Sequence, residues 1–435
     1  RMMAADTKKY EDCKIKKATI ISNVDGSDVD LTKAINCRYY EGILNDTVSC
    51  DLIITNSGST INGKNLLEGL PLVGTEDFEL QIEDPKGNIL ESSLNVNKVT
   101  PFTKEPQRED ILISMTSEEF IRNEEQTSEV IKRYDGKISE HVKKILTDNL
   151  KTQKELFIEE TSNNFNFCGN RRRSIYILNW LSKKSIPSVN GKRGETAGYF
   201  FFENADGFHF KSIDSLFAQE HVKSYIYGGQ PTSSIAYDGE IVNLEADNRF
   251  VANQKLRMGV YKTKMIVFDP FNCKYDVVEQ DAFDTEDGTT HAGKELPVIN
   301  NKFSNQTTRT TYVLKDTGTL PTGNVKQQVE KNNEQIFEVD SILNQAIRRY
   351  NQFVTSSVII EIAPDFSLRV GQTIFIDTSS GDAEGDQETD KLIGGKYLII
   401  QLTHDIQMGK GQTVLGLVRD SIGRKGKPHN GSMVD

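Results

Sequence analysis

Three kinds of side chain could carry chemistry in this chain: thiols, imidazoles and clustered carboxylates. The thiols are Cys13, Cys37, Cys50, Cys168 and Cys273. An odd, widely spaced set with no C-x-x-C pair and no clustered histidine offers neither a disulfide framework nor a tetrahedral zinc site, so reduced thiols are expected. The imidazoles, His141, His209, His221, His291, His404 and His429, are scattered, and no H-E-x-x-H, G-x-S-x-G or P-loop pattern occurs. His404 stands beside Asp405 in the manner of a catalytic pair. Neighbours in a strand point to opposite faces, so the two side chains cannot meet and a structural role is expected. From Asp382 to Asp390 five carboxylates fall in nine residues, enough hard oxygen ligands for calcium. Their spacing departs from the EF-hand register, and a solvated loop between two strands is the expectation. Arg171-Arg172-Arg173 could clamp a phosphate or a partner carboxylate, but a charged helix entrance exposed to solvent, or a salt-bridged subunit contact, is expected. Asn45-Asp46-Thr47 and Asn305-Gln306-Thr307 match the glycosylation acceptor pattern and are read as chance matches, because no secretion signal accompanies them. A glycan hydrolase needs two carboxylates about 5–10 Å apart, and among 63 acidic residues nothing singles out a pair. No catalytic residue, metal ligand or cofactor is assigned, and an enzyme is not expected.

The elements that would position any such groups follow from length and pattern. At roughly 150 residues per domain, 435 residues make two to four units. The hydrophobic fraction of 36% is below the roughly 45–50% of globular chains, which favours several small β-rich units with much exposed loop. With 63 acidic against 52 basic side chains the formal charge is −11, giving no electrostatic basis for gripping a phosphate backbone. No run approaches the roughly 18 apolar residues of a membrane span, and Arg1 to Tyr10 lacks an apolar signal region, so a soluble, unsecreted chain is expected.

Residues 1–105 show short apolar runs separated by Gly and Asn or Asp, with clear alternation at Phe78, Leu80 and Ile82, and predict a first antiparallel β-barrel or sheet. Residues 106–240 predict a mixed α/β unit. Thr116-Ser117-Glu118-Glu119 has the form of a capping box. Ile138, Val142, Ile145, Leu146 and Leu150 form a helical stripe, and a further helix is expected from Arg172 to about Lys184. The unit ends in an aromatic hairpin, Tyr199 to Glu203 and Phe208 to Lys211, turning at Gly207. Its three consecutive phenylalanines must face both ways, so both faces should be covered by helices or by another chain. A second strand-rich unit is placed at 241–280 and 355–422, interrupted at 281–354 by a polar excursion and a helix carrying Ile336, Val339, Leu343, Ala346, Ile347 and Tyr350. Residues 423–435 read as a flexible basic tail.

The C-terminal strands carry a resemblance. Leu368-Arg369-Val370-Gly371-Gln372-Thr373-Ile374, Gly395-Lys396-Tyr397-Leu398-Ile399, Leu402-Thr403-His404-Asp405-Ile406 and Gln412 to Asp420 resemble, in this order, the closing strands of baseplate hub subunits of contractile-tailed bacteriophages. They are also similar to the hub portion of secretion-system spike proteins. The aromatic hairpin looks like the middle domain of those hubs, and Val48 to Asn56 suits their first barrel. The resemblance implies an α+β fold of two tube-like antiparallel β-barrels, the second discontinuous, with a mixed α/β domain between them. It further implies a homotrimeric ring joining the tail tube, or a tube-terminating baseplate protein, to a central spike. Neighbouring wedge proteins would surround the ring, and DNA would pass through its channel without specific binding or membrane insertion. The chain would then be a structural virion protein of the tail baseplate, assembled in the host cytoplasm. The segments expected to face neighbours are the strands around Val260–Val267 and Tyr397–Leu402. Two other readings compete: a spike-associated cell-wall hydrolase, which needs an acid facing an open cleft among the helices of Glu118 to Glu160, and a polar scaffold or adhesin without a tail role, which oligomeric state would distinguish.

Overall fold

The computed structural model describes residues 11–24, 26–32, 35–56, 72–105, 108–188, 196–228, 237–248, 251–270, 273–283, 289–316, 318–319, 322–334, 339–378, 393–407 and 409–425. The acidic segment 382–390 lies outside them.

The architecture is mixed α+β around a closed six-stranded barrel. Going round it, Lys410–Arg419 pairs with Ser356–Ile362, then follow Gly239–Asn248, Lys223–Tyr227, Thr373–Thr378 and Gly395–Gln407, which pairs again with Lys410–Arg419. Two of the pairings, those of Lys223–Tyr227 with each neighbour, are parallel and the rest antiparallel. Period-two alternation fills the inside: Ser356–Ile362 buries Val358, Ile360 and Ile362 and leaves Ile359 outside. The barrel is discontinuous in sequence. It includes Lys223–Tyr227, inside the span read as the mixed unit, and it omits Lys262–Asp269, whose apolar run pointed to the second barrel. That strand sits instead at the centre of a separate sheet, between Lys274–Asp281 and Arg309–Leu314. Alternation identifies a strand but not its sheet, which is why the sequence misplaces it. The same sheet puts regular structure into the polar excursion.

The first unit is a ladder of antiparallel strands running from Ile35–Gly42 through Ser49–Asn56, Arg108–Thr116, Ile89–Glu105, Asp77–Glu83 and Lys14–Ile21 to Asp28–Asp30. Phe78, Leu80 and Ile82 face its core as the alternation requires. Its first strand pairs with the barrel strand Gly395–Gln407, setting Tyr39 against His404 and Glu41 against Leu402. Barrel and first unit therefore share one continuous ladder. Tyr397, Leu398, Ile399 and Leu402 are consequently buried in the chain's own core, Ile400 is half-buried against it, and of the segment expected to meet neighbours only Gln401 is exposed.

The mixed unit packs a second core. Helix Ile138–Lys144 runs into a wider π turn, Ile145–Asn149, and with Ser174–Ser182 buries Ile138, Val142, Ile145, Leu146, Ile175, Leu178 and Leu181. The capping box does not form. Ser117 is the N-cap of the short helix Glu118–Arg122 and makes no side-chain cap bond, while Thr116 Oγ1 donates to Ser117 O. In the hairpin Tyr199–Asn204 and Gly207–Ser212, Tyr199 and Phe201 join the helical core while Phe200 and Phe202 join the barrel core, so both faces are covered. Gly207, with φ +144°, passes within 2.2 Å, measured from an added Cβ, of Glu155 O on the adjoining parallel strand Glu155–Ile158, so only glycine fits.

Candidate functional site

The three units meet at a buried, charged junction. Glu41 lies on the core face of its strand, two residues beyond Tyr39 and four beyond Cys37. Its Oε1 accepts Ala205 N at 2.8 Å from the hairpin turn and the Tyr39 hydroxyl at 3.1 Å; its Oε2 accepts Val370 N at 2.9 Å from the barrel. One carboxyl group thus ties first unit, hairpin and barrel together. Burial pushes its pKa up to about 7, against the lowering effect of those hydrogen bonds. Beneath it, His404 is fully buried, bonds Thr413 Oγ1 through Nδ1 at 2.9 Å, stacks on Tyr39 and takes the edge of Phe366. Burial lowers its pKa to about 3, so the imidazole is neutral packing material, as the strand geometry implies.

Glu203 makes the complementary link. Its Oε2 accepts Val48 N at 3.0 Å and Ser117 Oγ at 2.6 Å, and its Oε1 accepts Lys154 Nζ at 2.6 Å. Lys154 also reaches Glu119 Oε2 at 2.8 Å, and Thr152 Oγ1 donates to Glu119 Oε1 at 2.6 Å. Burial raises the Glu203 pKa despite this company. Burial alone would lower that of Lys154, but the Glu203 and Glu119 charges outweigh it and the net shift is upward. Glu119, the supposed capping residue, is therefore committed to this cluster.

The loop motif L-x-V-G-Q has a steric reason. Leu368 and Val370 are buried, Gln372 Oε1 accepts Arg369 N, and Gly371 N donates to Ile399 O. Gly371 has φ +88°, and an added Cβ would stand 2.6 Å from Phe202 Cζ. Gly371→Ala is expected to cost about 2 kcal/mol through left-handed strain and overpacking, read as a lowered denaturation midpoint with an unchanged m-value. A stability equal to that of the native chain would refute the close approach.

A second cluster lies at the far end of the last barrel strand. His291 Nδ1 is 2.7 Å from Asp420 Oδ2, and its Nε2 is 2.9 Å from Thr289 Oγ1. Arg349 donates to Asp420 Oδ2 at 3.4 Å and to Asp214 Oδ1 at 3.0 Å. Ala292 N and Gly293 N bond Asp420 Oδ1 and Ser421 Oγ. Burial would raise the Asp420 pKa, but the hydrogen bond from His291 and the nearby positive charges hold it below the usual carboxylate value. The Thr-His-Asp sequence has the order of a nucleophilic triad. Arg349, the backbone donors and burial commit the acid to clamping the 289–293 segment onto the barrel, so the geometry is that of a latch. Only the start of the tail falls among the described residues, and it is held nearby: Arg424 forks onto both Asp377 oxygens and Lys425 Nζ donates to His291 O, while 426–435 lie outside the described residues.

Other singled-out residues resolve structurally. Arg171 pairs with Glu129, Arg172 lies over Tyr176, and Arg173 donates to Glu124 O and Glu125 O, making a salt-bridged helix entrance. Among the acids of the helical unit, Glu118 pairs with Arg122, Glu119 with Lys154, and Glu160 with Lys137. A cavity of about 240 Å³ is lined in part by Asp206, His209 and Gly371. His209 is stacked between Phe157 and Phe202, and burial lowers its pKa to about 4, too low for an effective base near neutrality. All five cysteines are free, and no group of three or more metal-ligating side chains occurs among the described residues. No described helix is long and apolar enough to cross a membrane.

No protein-family model and no curated protein sequence matches the chain. Solved structures do. A tail protein from Neisseria meningitidis MC58 superposes with a TM-score of 0.51 at 12% identity, over 93% of this chain and 98% of that one. The 43 kDa tail protein of prophage MuSo2 from Shewanella oneidensis does so with a TM-score of 0.52 at 9% identity, over the same shares of the two chains. The E. coli c3393 protein, a component of the type VI secretion system, gives 0.43 at 10% identity over 98% of this chain and 82% of that one. At such identities the likeness is one of fold.

Proposed function

From the premise that this chain has the fold of phage tail proteins, we propose that it is a structural tail component, the hub of a contractile baseplate. Three copies would form a ring between the tail tube and the central spike, within reach of the surrounding wedge proteins. The observation that carries this reading is the closed barrel continued through one ladder into a second strand-rich unit, over nearly the whole length of two tail proteins. Such a double unit, repeated by threefold rotation, presents six strand-rich modules around an axis, matching sixfold symmetry on one side and threefold on the other. The buried junction suits a part that must transmit force, because polar groups at the unit boundaries are tied by short bonds rather than left to solvent. The net charge of −11 suits a passage that DNA crosses without adhering. Release of the spike would then open the channel for the genome, with assembly taking place in the host cytoplasm.

Light scattering on the purified chain, with negative-stain images of the same peak, tests the reading. A mass three times that of the chain and a hollow ring are expected. A monomer that stays monomeric when mixed with the tube and spike proteins of the same tail would overturn it.

A further inference from the structure

A lysine is buried where two helices end. Ala252–Met258 and Val339–Phe353 cap one another: Asn351 Nδ2 donates to Met258 O at 2.8 Å, while Lys255 Nζ donates to Asn351 O at 3.0 Å and to Val354 O. Lysine is an ordinary partner for the last carbonyls of a helix, but one that is only 5% exposed is not. Lys255 also borders a cavity of about 290 Å³, walled by Val251, Met258 and Val354 on its apolar side and by Thr355 and Ser357 on its polar side. Val251 and Val354 are exposed, so the cavity opens to solvent.

The surroundings bring no counter-charge. Helix Val339–Phe353 packs against Ala252–Met258 and carries Arg348, Arg349 and Tyr350; strand Arg309–Leu314 packs there too and carries Arg309; the short helix itself adds Arg257. Arg348 donates to Asp281 O, and Arg349 to Asp214 and Asp420. Tyr350 lines the cavity, donates its hydroxyl proton to Tyr199 O, and has its pKa pushed up to about 12 by burial. No described acid balances the ammonium, and burial lowers its pKa to about 8. The bonding fits the neutral amine better than the cation. An ammonium has three N–H donors, of which the two carbonyls take two. A neutral amine has two N–H donors and a lone pair, so the same two bonds satisfy it and leave the lone pair untaken beside the cavity.

We propose that Lys255 is an imine-forming site that takes a small aldehyde into this cavity. The Nζ lone pair adds to the aldehyde carbon, and the resulting carbinolamine loses the former carbonyl oxygen as water. Both amine hydrogens leave in that water and a C=N bond remains, with nothing oxidised or reduced. Once protonated, the product has one N–H to donate to Asn351 O or Val354 O, and its positive charge lies at the negative end of a helix. A carboxylate or phosphate would meet the same carbonyls unfavourably, so an anion is the poorer guest. Neither the cavity nor its lysine depends on the hub reading.

The test treats the full chain with propanal and sodium cyanoborohydride, which reduces an iminium to a stable propylamine, and reads the early rate at each lysine by peptide mass spectrometry. At pH 7 about a tenth of a group titrating near 8 is neutral, against roughly 0.04% of an ordinary lysine near 10.4. Lys255 is therefore expected to react at least tenfold faster than the exposed lysines at pH 7, and its lead should shrink about tenfold by pH 9, as their amines lose protons and its own is already neutral. Val354→Trp, at an exposed position on the cavity wall, should slow Lys255 at least tenfold and leave the other lysines unchanged. A Lys255 that reacts no faster than exposed lysines at pH 7, or whose lead is the same at pH 9, would overturn the proposal. A lead that survives Val354→Trp would put the reaction outside the cavity and overturn the site.

Discussion

Arg349→Ala is expected to remove about 3–5 kcal/mol of folding free energy, the usual consequence of deleting one member of a buried ion pair. The guanidinium is fully buried and serves Asp214, Asp420 and Thr290 O, three groups from three parts of the chain. Without it two carboxylates in low-dielectric surroundings lose their nearest full positive charge, and no solvent replaces it. Urea unfolding reads the loss. Native-state hydrogen exchange should localise it, because Thr290 N, Ala292 N and Gly293 N are all bonded to this cluster. The double change Arg349→Ala with Asp420→Asn should cost less than the sum of the two. Simple additivity, or a single-variant loss under about 1 kcal/mol, would mean the cluster is not coupled and does not latch the segment.

The junction predicts two opposed responses to pH. His404 titrates near 3 in the folded chain against an ordinary 6.5, so the unfolded chain binds its proton first. Its contribution is whole above pH 6.5 and is lost as the solution is acidified, amounting to about 3 kcal/mol by pH 4. Glu41 has the reverse sign. Its pKa rises from 4.5 to about 7, so the folded chain keeps a proton that the unfolded chain has released. The stability associated with the neutral form is whole below pH 4.5 and is lost as the pH rises to 7, again about 3 kcal/mol. The stability difference between native chain and His404→Gln should therefore shift in favour of the native chain as pH rises from 4 to 6.5. The difference between native chain and Glu41→Gln should shift against it between pH 4.5 and 7. Unfolding curves at five or six pH values separate the two. Differences that do not vary with pH would show that neither group is held out of water in the way described.

Much of the scaffold was open to reading from the residues, and the exceptions share a cause. Alternation at Phe78, Leu80 and Ile82, the helical stripe from Ile138 to Leu150, and the two-faced aromatic hairpin are local patterns, and each appears where its period places it. What escaped depended on distant partners. Nothing near Lys262–Asp269 says which sheet it joins, and Glu119 meets the capping pattern yet is drawn to Lys154. The junction acids did leave a trace. Glu41 falls on the same face as Cys37 and Tyr39, and Glu203 on that of Tyr199 and Phe201, so an acid at a core position was visible in the alternation alone. Their partners, Val370 N and Lys154, were not. The His291–Asp420 latch had no signal at all, since its members lie far apart and only the closed barrel brings them together.

The ladder that joins Ile35–Gly42 to Gly395–Gln407 also fixes an order of events during synthesis. Val370 and Glu41, bonded in the folded chain, are 329 residues apart. At elongation rates of roughly 5–20 residues per second, the early strand waits many seconds on the ribosome with one edge unmatched and a buried acid still in water. The high proportion of such distant pairings gives slow folding and a long interval open to aggregation. Low temperature and slow expression should therefore raise the soluble yield, and truncations that stop short of Gly395 should be recovered mainly with chaperones.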